Sequence, residues 1–247
     1  MSNTPSQRHR SIYVLPNLFT SASLLAAFFA IISAFNERFT TAVICILLSA
    51  ILDALDGRVA RLTNTQSAFG AEYDSLADVV AFGAAPALVA YFWQLKHAHP
   101  FGWVVAFAWL VCVALRLARF NTELPEASES HAPQRFFVGL PCPAAAVTLA
   151  GFIWFVRDSF LANHFGLTLF FSTFLTLYLA IMMVSNVPFR SFKDLDMRAN
   201  LHYHHVVLLV LGLAIVMAQL SHSIFLIFLV YVLSGPISWY FKKDDSK

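Results

Sequence analysis

Apolar runs of about 20 residues recur along almost the whole chain, and a run of that length and composition crosses a bilayer as a helix. In hydrocarbon only a helix or a closed barrel satisfies every backbone N–H and C=O group. Eight spans are read, at 14–35, 40–62, 71–95, 101–120, 138–156, 166–187, 203–220 and 222–241. Ser221 and His222 barely separate the last two, so a six-span reading, with that pair merged or lost, stays open. The expected fold class is an all-α integral membrane protein, one membrane-embedded domain over 1–247 with a polar N-terminal segment at 1–13. The first span is longer than the apolar part of a signal peptide and others follow it, so it reads as a retained membrane helix.

Charge placement orients the spans. Of the 16 Lys and Arg, 13 fall on the side shared by both termini, including Arg8, Arg10, Arg58, Arg61, Arg116, Arg119, Arg135, Arg190 and Lys242. Only Arg38, Lys96 and Arg157 fall on the other. The positive-inside rule then puts both termini in the cytoplasm and the chain in the inner (cytoplasmic) membrane of a cell. With a net charge of +2 and its basic residues spread out, the chain is not a nucleic-acid binder. Its three cysteines, Cys45, Cys112 and Cys142, have no metal-ligand spacing and read as small buried hydrophobes.

Against this background four acids stand out. Asp53 and Asp56, spaced i, i+3, lie near the end of the second span, and Asp74 and Asp78, spaced i, i+4, near the start of the third. On a helix each pair projects from one face, and a short turn lets the two faces meet. A central Asp opposes membrane insertion by about 2.5–3.5 kcal/mol, while a Leu or Phe favours it by about 0.3–0.6. Four clustered carboxylates also repel one another unless a cation neutralises them. Oxygen-only ligation selects a hard ion, Mg²⁺ or Mn²⁺, and four carboxylates suit two ions. The bland reading is a set of helix-end acids, which Glu72 and Asp74 could be at a helix N-terminus. Gly57 leaves room beside Asp56 for a ligand to approach the backbone. Arg58 and Arg61 could bind phosphate or be cytoplasmic-side anchors.

The string Asp53-x-x-Asp56-Gly57-x-x-Ala60-Arg61, eight residues, then Gly70-x-x-x-Asp74-x-x-x-Asp78 resembles the signature of the CDP-alcohol phosphatidyltransferases at every fixed position and in both spacings. The resemblance implies that an alcohol attacks the lipid-bearing phosphorus of a CDP-linked lipid and CMP leaves. It implies that Asp53, Asp56, Asp74 and Asp78 hold two divalent cations and that Asp78 is also the general base. It implies that Gly57, Arg61 and Ser67 contact the CDP part, as does the stretch Pro16-Asn17-Leu18-Phe19. On its own, Pro16-Asn17 reads as a helix start with a cap. A homodimer among membrane lipids is expected by the same analogy.

Three further stretches resemble the membrane-embedded phosphatidylserine synthases of that family: Arg116-Leu117-Ala118-Arg119-Phe120-Asn121, Phe137-Val138-Gly139-Leu140-Pro141-x-Pro143-Ala144-Ala145, and Val187-Pro188-Phe189-Arg190-Ser191-Phe192-Lys193. They imply CDP-diacylglycerol as donor and L-serine as acceptor, with Arg116, Arg119 and Asn121 as candidates for binding the acceptor or a phosphate. Arg116 and Arg119 share a helix face, and either alone is equally an anchor at the membrane surface. The rival acceptors are glycerol phosphate and inositol phosphate. The rival of another class is a cation transporter, which predicts midplane carboxylates and often an internal repeat; no repeat is seen.

Overall fold

The computed structural model describes residues 7–63, 67–127, 136–190 and 219–244. Helices α1 (Gln7–Phe35), α2 (Phe39–Thr63) and α3 (Ala68–Asp78) lead into a π-helical turn, Val79–Ala84, and then α4 (Ala85–Trp93). Then follow α5 (Phe101–Ala127), strand β1 (Phe136–Val138), α6 (Cys142–Asp158), α7 (Phe165–Val184), strand β2 (Pro188–Arg190) and α8 (Leu220–Asp244). Among the described residues, six stretches are long and apolar enough to cross a membrane: Asn17–Phe35, Phe39–Thr63, Ala68–Trp93, Phe101–Thr122, Phe165–Val184 and Leu220–Trp239. The all-α, multi-pass membrane architecture is as expected. The span read at 138–156 is the 17-residue helix α6. The span read at 203–220 lies outside the described residues except for its last two positions.

Small side chains let α1 and α2 lie close. Ala27, Ala30 and Ala34 meet Ala42, Val43 and Ile46, all buried, the pattern by which membrane helices gain contact where lipid is as apolar as the protein. Ser23 and Ser49 lock the pair: each hydroxyl donates to the other's backbone carbonyl, at 2.9 and 3.0 Å. Helix α6 is apolar all round and buried along nearly its whole length, the mark of a helix enclosed by others. Gly151 brings it against α8, where a Cβ would stand 3.2 Å from the Phe225 Cα. Leu25, Phe28, Phe170 and Val230 face outward, where lipid takes the place of a partner.

Three local features depart from the expected spans. Helix α1 starts at Gln7 and passes through Pro16, whereas Pro16-Asn17 reads as a helix start in the sequence. Pro16 has no N–H to donate to the Ile12 carbonyl, one turn back. The third span is broken at Val79–Ala84. There the N–H of Ala85 reaches the Val80 carbonyl, five residues back, and Pro86 leaves the Phe82 carbonyl without its ordinary i+4 donor. The buried Trp109 indole fills that gap, its Nε1–H donating to the Phe82 carbonyl at 2.9 Å. Finally, β1 and β2 form an antiparallel ribbon, Phe137 opposite Phe189, just before α6 and just after α7. Gly139, at φ +80, ends it: a Cβ there would stand 2.5 Å from the Met183 carbonyl oxygen.

Candidate functional site

The site is assembled toward one end of the bundle, where the middle of α1, the second half of α2, helix α3, the end of α5 and the start of α6 surround a cavity of about 470 Å³.

Asp53, Asp56 and Asp74 each offer an oxygen, and the three oxygens lie within 4.8 Å of one another. Asp78 stands beside them, its carboxyl group within hydrogen-bonding reach of that of Asp53. Asp56, Asp74 and Asp78 line the cavity. The spacings i, i+3 on α2 and i, i+4 on α3 thus do what they predict and turn both pairs to one point. The oxygens have different surroundings. Asp56 is buried and its Oδ2 accepts the Thr20 hydroxyl at 2.9 Å. Asp74 Oδ1 is buried and has no hydrogen-bond partner among the described residues. A buried carboxylate oxygen without a donor is costly, and a trio of oxygens at this separation is a set that one hard divalent cation can bridge. The donor set therefore fits a divalent cation.

On one side of the carboxylates the cavity is lined by Asn17, Gly57, Arg61 and Ser67. Ser67 caps α3, its hydroxyl accepting the Gly70 N–H at 3.0 Å. A Cβ at Gly70 would stand 3.0 Å from Ser67 Oγ and 3.3 Å from Asn17 Oδ1, so glycine is what lets α1 approach the cap. The Arg61 guanidinium lies over Gly57, where a Cβ would be 3.7 Å from Nη1. Leu18 and Phe19 do not line the cavity, and Leu18 is exposed on the outer face of α1. Only the Pro16 backbone is described.

On the other side stand Arg116, Asn121, Pro141 and Cys142. Arg116 Nη1 lies 3.7 Å from Cys142 Sγ, and its Nε is buried with no hydrogen-bond partner among the described residues. Asn121 Nδ2 donates to Ser75 Oγ at 3.0 Å. Arg119 does not line the cavity; its Nη1 donates to Asn186 Oδ1 at 2.9 Å and ties α5 to the link between α7 and β2. The expected Arg116–Arg119 pair is thus divided, one side chain to the site and one to the scaffold. Arg135 lies outside the described residues, as does the side chain of Arg190.

Thr20, Ser75 and Cys142 line the cavity and were not among the sequence candidates. Thr20, one helical turn after Asn17, gains its role from Asp56, 36 positions away. Ser75, on α3 beside Asp74, and Cys142, buried like any core cysteine, carry no signal until α5 and α6 are placed against them.

Comparison with known proteins agrees with this geometry. The model of the CDP-alcohol phosphatidyltransferase family matches residues 13–189. A CDP-diacylglycerol–serine O-phosphatidyltransferase of Helicobacter pylori is 39% identical over 93% of this chain and 92% of that protein. Proteins of the same name from Mycobacterium bovis and Methanocaldococcus jannaschii are 36% and 34% identical, over 94% and 78% of this chain and 80% and 82% of their own lengths. With the family signature meeting at one cavity and relatives of this extent, the chain belongs to the CDP-alcohol phosphatidyltransferase family.

Proposed function

We propose that this protein transfers the phosphatidyl group of CDP-diacylglycerol to the hydroxyl of L-serine, giving phosphatidylserine and CMP. The observation that carries the proposal is that Asp56, Asp74 and Asp78 line one cavity between two differently equipped walls, with Asp53 grouped behind them against Asp56 and Asp74. The full-length relatives that carry the serine enzyme's name support the choice of acceptor.

In this reading Asn17, Gly57, Arg61 and Ser67 hold the CDP part, Arg61 meeting phosphate as a planar fork. The serine oxygen forms a bond to the lipid-bearing phosphorus, the bond from that phosphorus to the CMP oxygen breaks, and CMP leaves as a phosphate monoester. Asp78 takes the serine hydroxyl proton, which a weak nucleophile must lose as it attacks. Arg116, across the cavity with its Nε unpaired among the described residues, binds the serine carboxylate. Asn121 and Ser75 shape that end. Arg119 supports the wall. Two divalent cations, Mg²⁺ or Mn²⁺, on Asp53, Asp56, Asp74 and Asp78 would supply neutralising charge to the pyrophosphate oxygens.

The whole chain, 1–247, acts as one membrane-embedded domain, as a homodimer in the inner membrane, with residues 1–13 and the cavity on the cytoplasmic side. The side is inferred from Lys and Arg placement. Family membership and the full-length relatives leave the cation-transporter reading without support.

Purified protein with CDP-diacylglycerol and Mn²⁺ or Mg²⁺ is expected to release CMP only when serine is added. Release with glycerol phosphate but not serine would overturn the acceptor.

A further inference from the structure

A second cavity, of about 320 Å³, opens at the other end of the bundle, between the ends of α4 and α6 and the start of α7. It is remote from the aspartates: Phe39, whose ring carries the cavity's Arg157, stands about 21 Å along α2 from Asp53 at 1.5 Å per residue. A headgroup held at the carboxylates does not reach it.

We propose that this cavity binds the phosphodiester headgroup of an anionic phospholipid in the leaflet opposite the active site. Its charge comes from one side chain. Arg157 lines it, and no acid does, although Asp158 is next in sequence. The Arg157 guanidinium rests on the Phe39 ring, its carbon 5.6 Å from the ring centroid. An aromatic face holds a guanidinium by its plane and leaves the N–H edge for an acceptor, and that edge matches two oxygens of a phosphate.

Gln94 supplies a second donor. It is buried, 7% exposed, and lines the cavity. Its Nε2 reaches the Phe165 carbonyl at 3.4 Å, beyond the ordinary range for such a bond, so this amide keeps hydrogen-bonding capacity for a ligand. Thr168 is different: its hydroxyl is already given to the Leu161 carbonyl at 2.8 Å. Trp93 and Phe165 add apolar wall for the glycerol and first acyl carbons. With a cation and no acid in the lining, the cavity offers nothing to the ammonium of a zwitterionic lipid, which is why the ligand is anionic. Basic pockets between membrane helices are where such headgroups settle. The other two far-side cations do not line it: Lys96 faces Glu37 at 4.0 Å, and Arg38 is exposed beside the turn into α2.

The test uses delipidated full-length protein in neutral detergent. Bound lipid is read by native mass spectrometry against phosphatidylglycerol, phosphatidylcholine or inorganic phosphate, and CMP release on the same samples shows that the bundle is folded. Wild type is expected to retain phosphatidylglycerol over phosphatidylcholine. Arg157→Gln is expected to need at least tenfold more phosphatidylglycerol for equal retention, and Phe39→Leu, which keeps the charge and removes the ring, a smaller increase. Arg38→Gln is expected to behave as wild type. Equal retention by wild type and Arg157→Gln, or an Arg38→Gln loss as large as that of Arg157→Gln, would overturn the proposal. So would displacement of the lipid by inorganic phosphate at equal concentration, which would mark a free-anion site.

Discussion

The hydroxyl of Thr20 is the most informative single atom to remove. It is buried, and its bond to Asp56 Oδ2, at 2.9 Å, joins α1 to the carboxylate cluster on α2. Thr20→Val keeps the side-chain volume and β-branching and removes the hydroxyl. A hydrogen bond to a charged group contributes about 1.5–3 kcal/mol, a factor of roughly 10 to 150, since about 1.4 kcal/mol is tenfold. That range overlaps the loss of about 10–100-fold in metal affinity that follows removal of a group orienting a ligand. The bond holds Asp56 by Oδ2, so Thr20 orients this carboxylate and takes no part in the chemistry. The expected result is a rise of tenfold or more in the Mn²⁺ concentration needed for half-maximal CMP release. A matching weakening is expected in Mn²⁺ binding followed by electron paramagnetic resonance without substrate, with the rate at saturating Mn²⁺ changed much less. Thr20→Ser, which restores the donor, is expected to fall within about threefold of wild type on the same scale. Equal Mn²⁺ binding by wild type and Thr20→Val would overturn this role for Thr20, as would failure of Thr20→Ser to recover it.

Three further expectations follow from other parts of the structure. Asp78→Asn keeps the size of the side chain but not its basicity, so CMP release should fall by 10²-fold or more while CDP-lipid binding, followed by isothermal titration, stays within a few-fold. Gly139→Ala asks an L-residue to adopt φ +80 with its Cβ 2.5 Å from the Met183 carbonyl oxygen; the left-handed conformation alone costs about 1–2 kcal/mol, and the apparent Tm in detergent should drop by several degrees. Trp109→Phe keeps an aromatic ring at a fully buried position and leaves the Phe82 carbonyl without its donor, a loss of about 1–3 kcal/mol that a thermal melt should register while Mn²⁺ binding is retained.

Much of the site was legible because it is local in the chain. A spacing of three or four residues means one helix face wherever the helix ends up, so Asp53 with Asp56 and Asp74 with Asp78 could be paired before any packing was known. Asn17, Gly57, Arg61 and Ser67 enter the sequence reading only through the family resemblance, and Asn17 lies on α1, far along the chain from those two pairs. Arg116 and Arg119 show where such reasoning stops. Their spacing is equally good, yet one faces the cavity and the other reaches Asn186, because a face some tens of degrees wide meets two neighbours and the spacing does not say which. Thr20 shows the complementary case, a residue whose role depends on a partner 36 positions away.

Hydropathy, charge placement and the i, i+3 and i, i+4 spacings by themselves determined that this is a bundle of membrane helices with a carboxylate site at one end. Those properties depend on transfer from water and on helical periodicity, both local to the chain. The tertiary structure alone decided the rest: that the Phe82 carbonyl freed by Pro86 is taken by Trp109, that β1 finds β2 across α6 and α7, that Thr20 donates to Asp56, and that Asp74 Oδ1 is buried without a donor among the described residues. Each of these depends on which atoms lie opposite one another in three dimensions, and a backbone carbonyl or a carboxylate oxygen in hydrocarbon takes whatever donor the packing brings within about 3 Å.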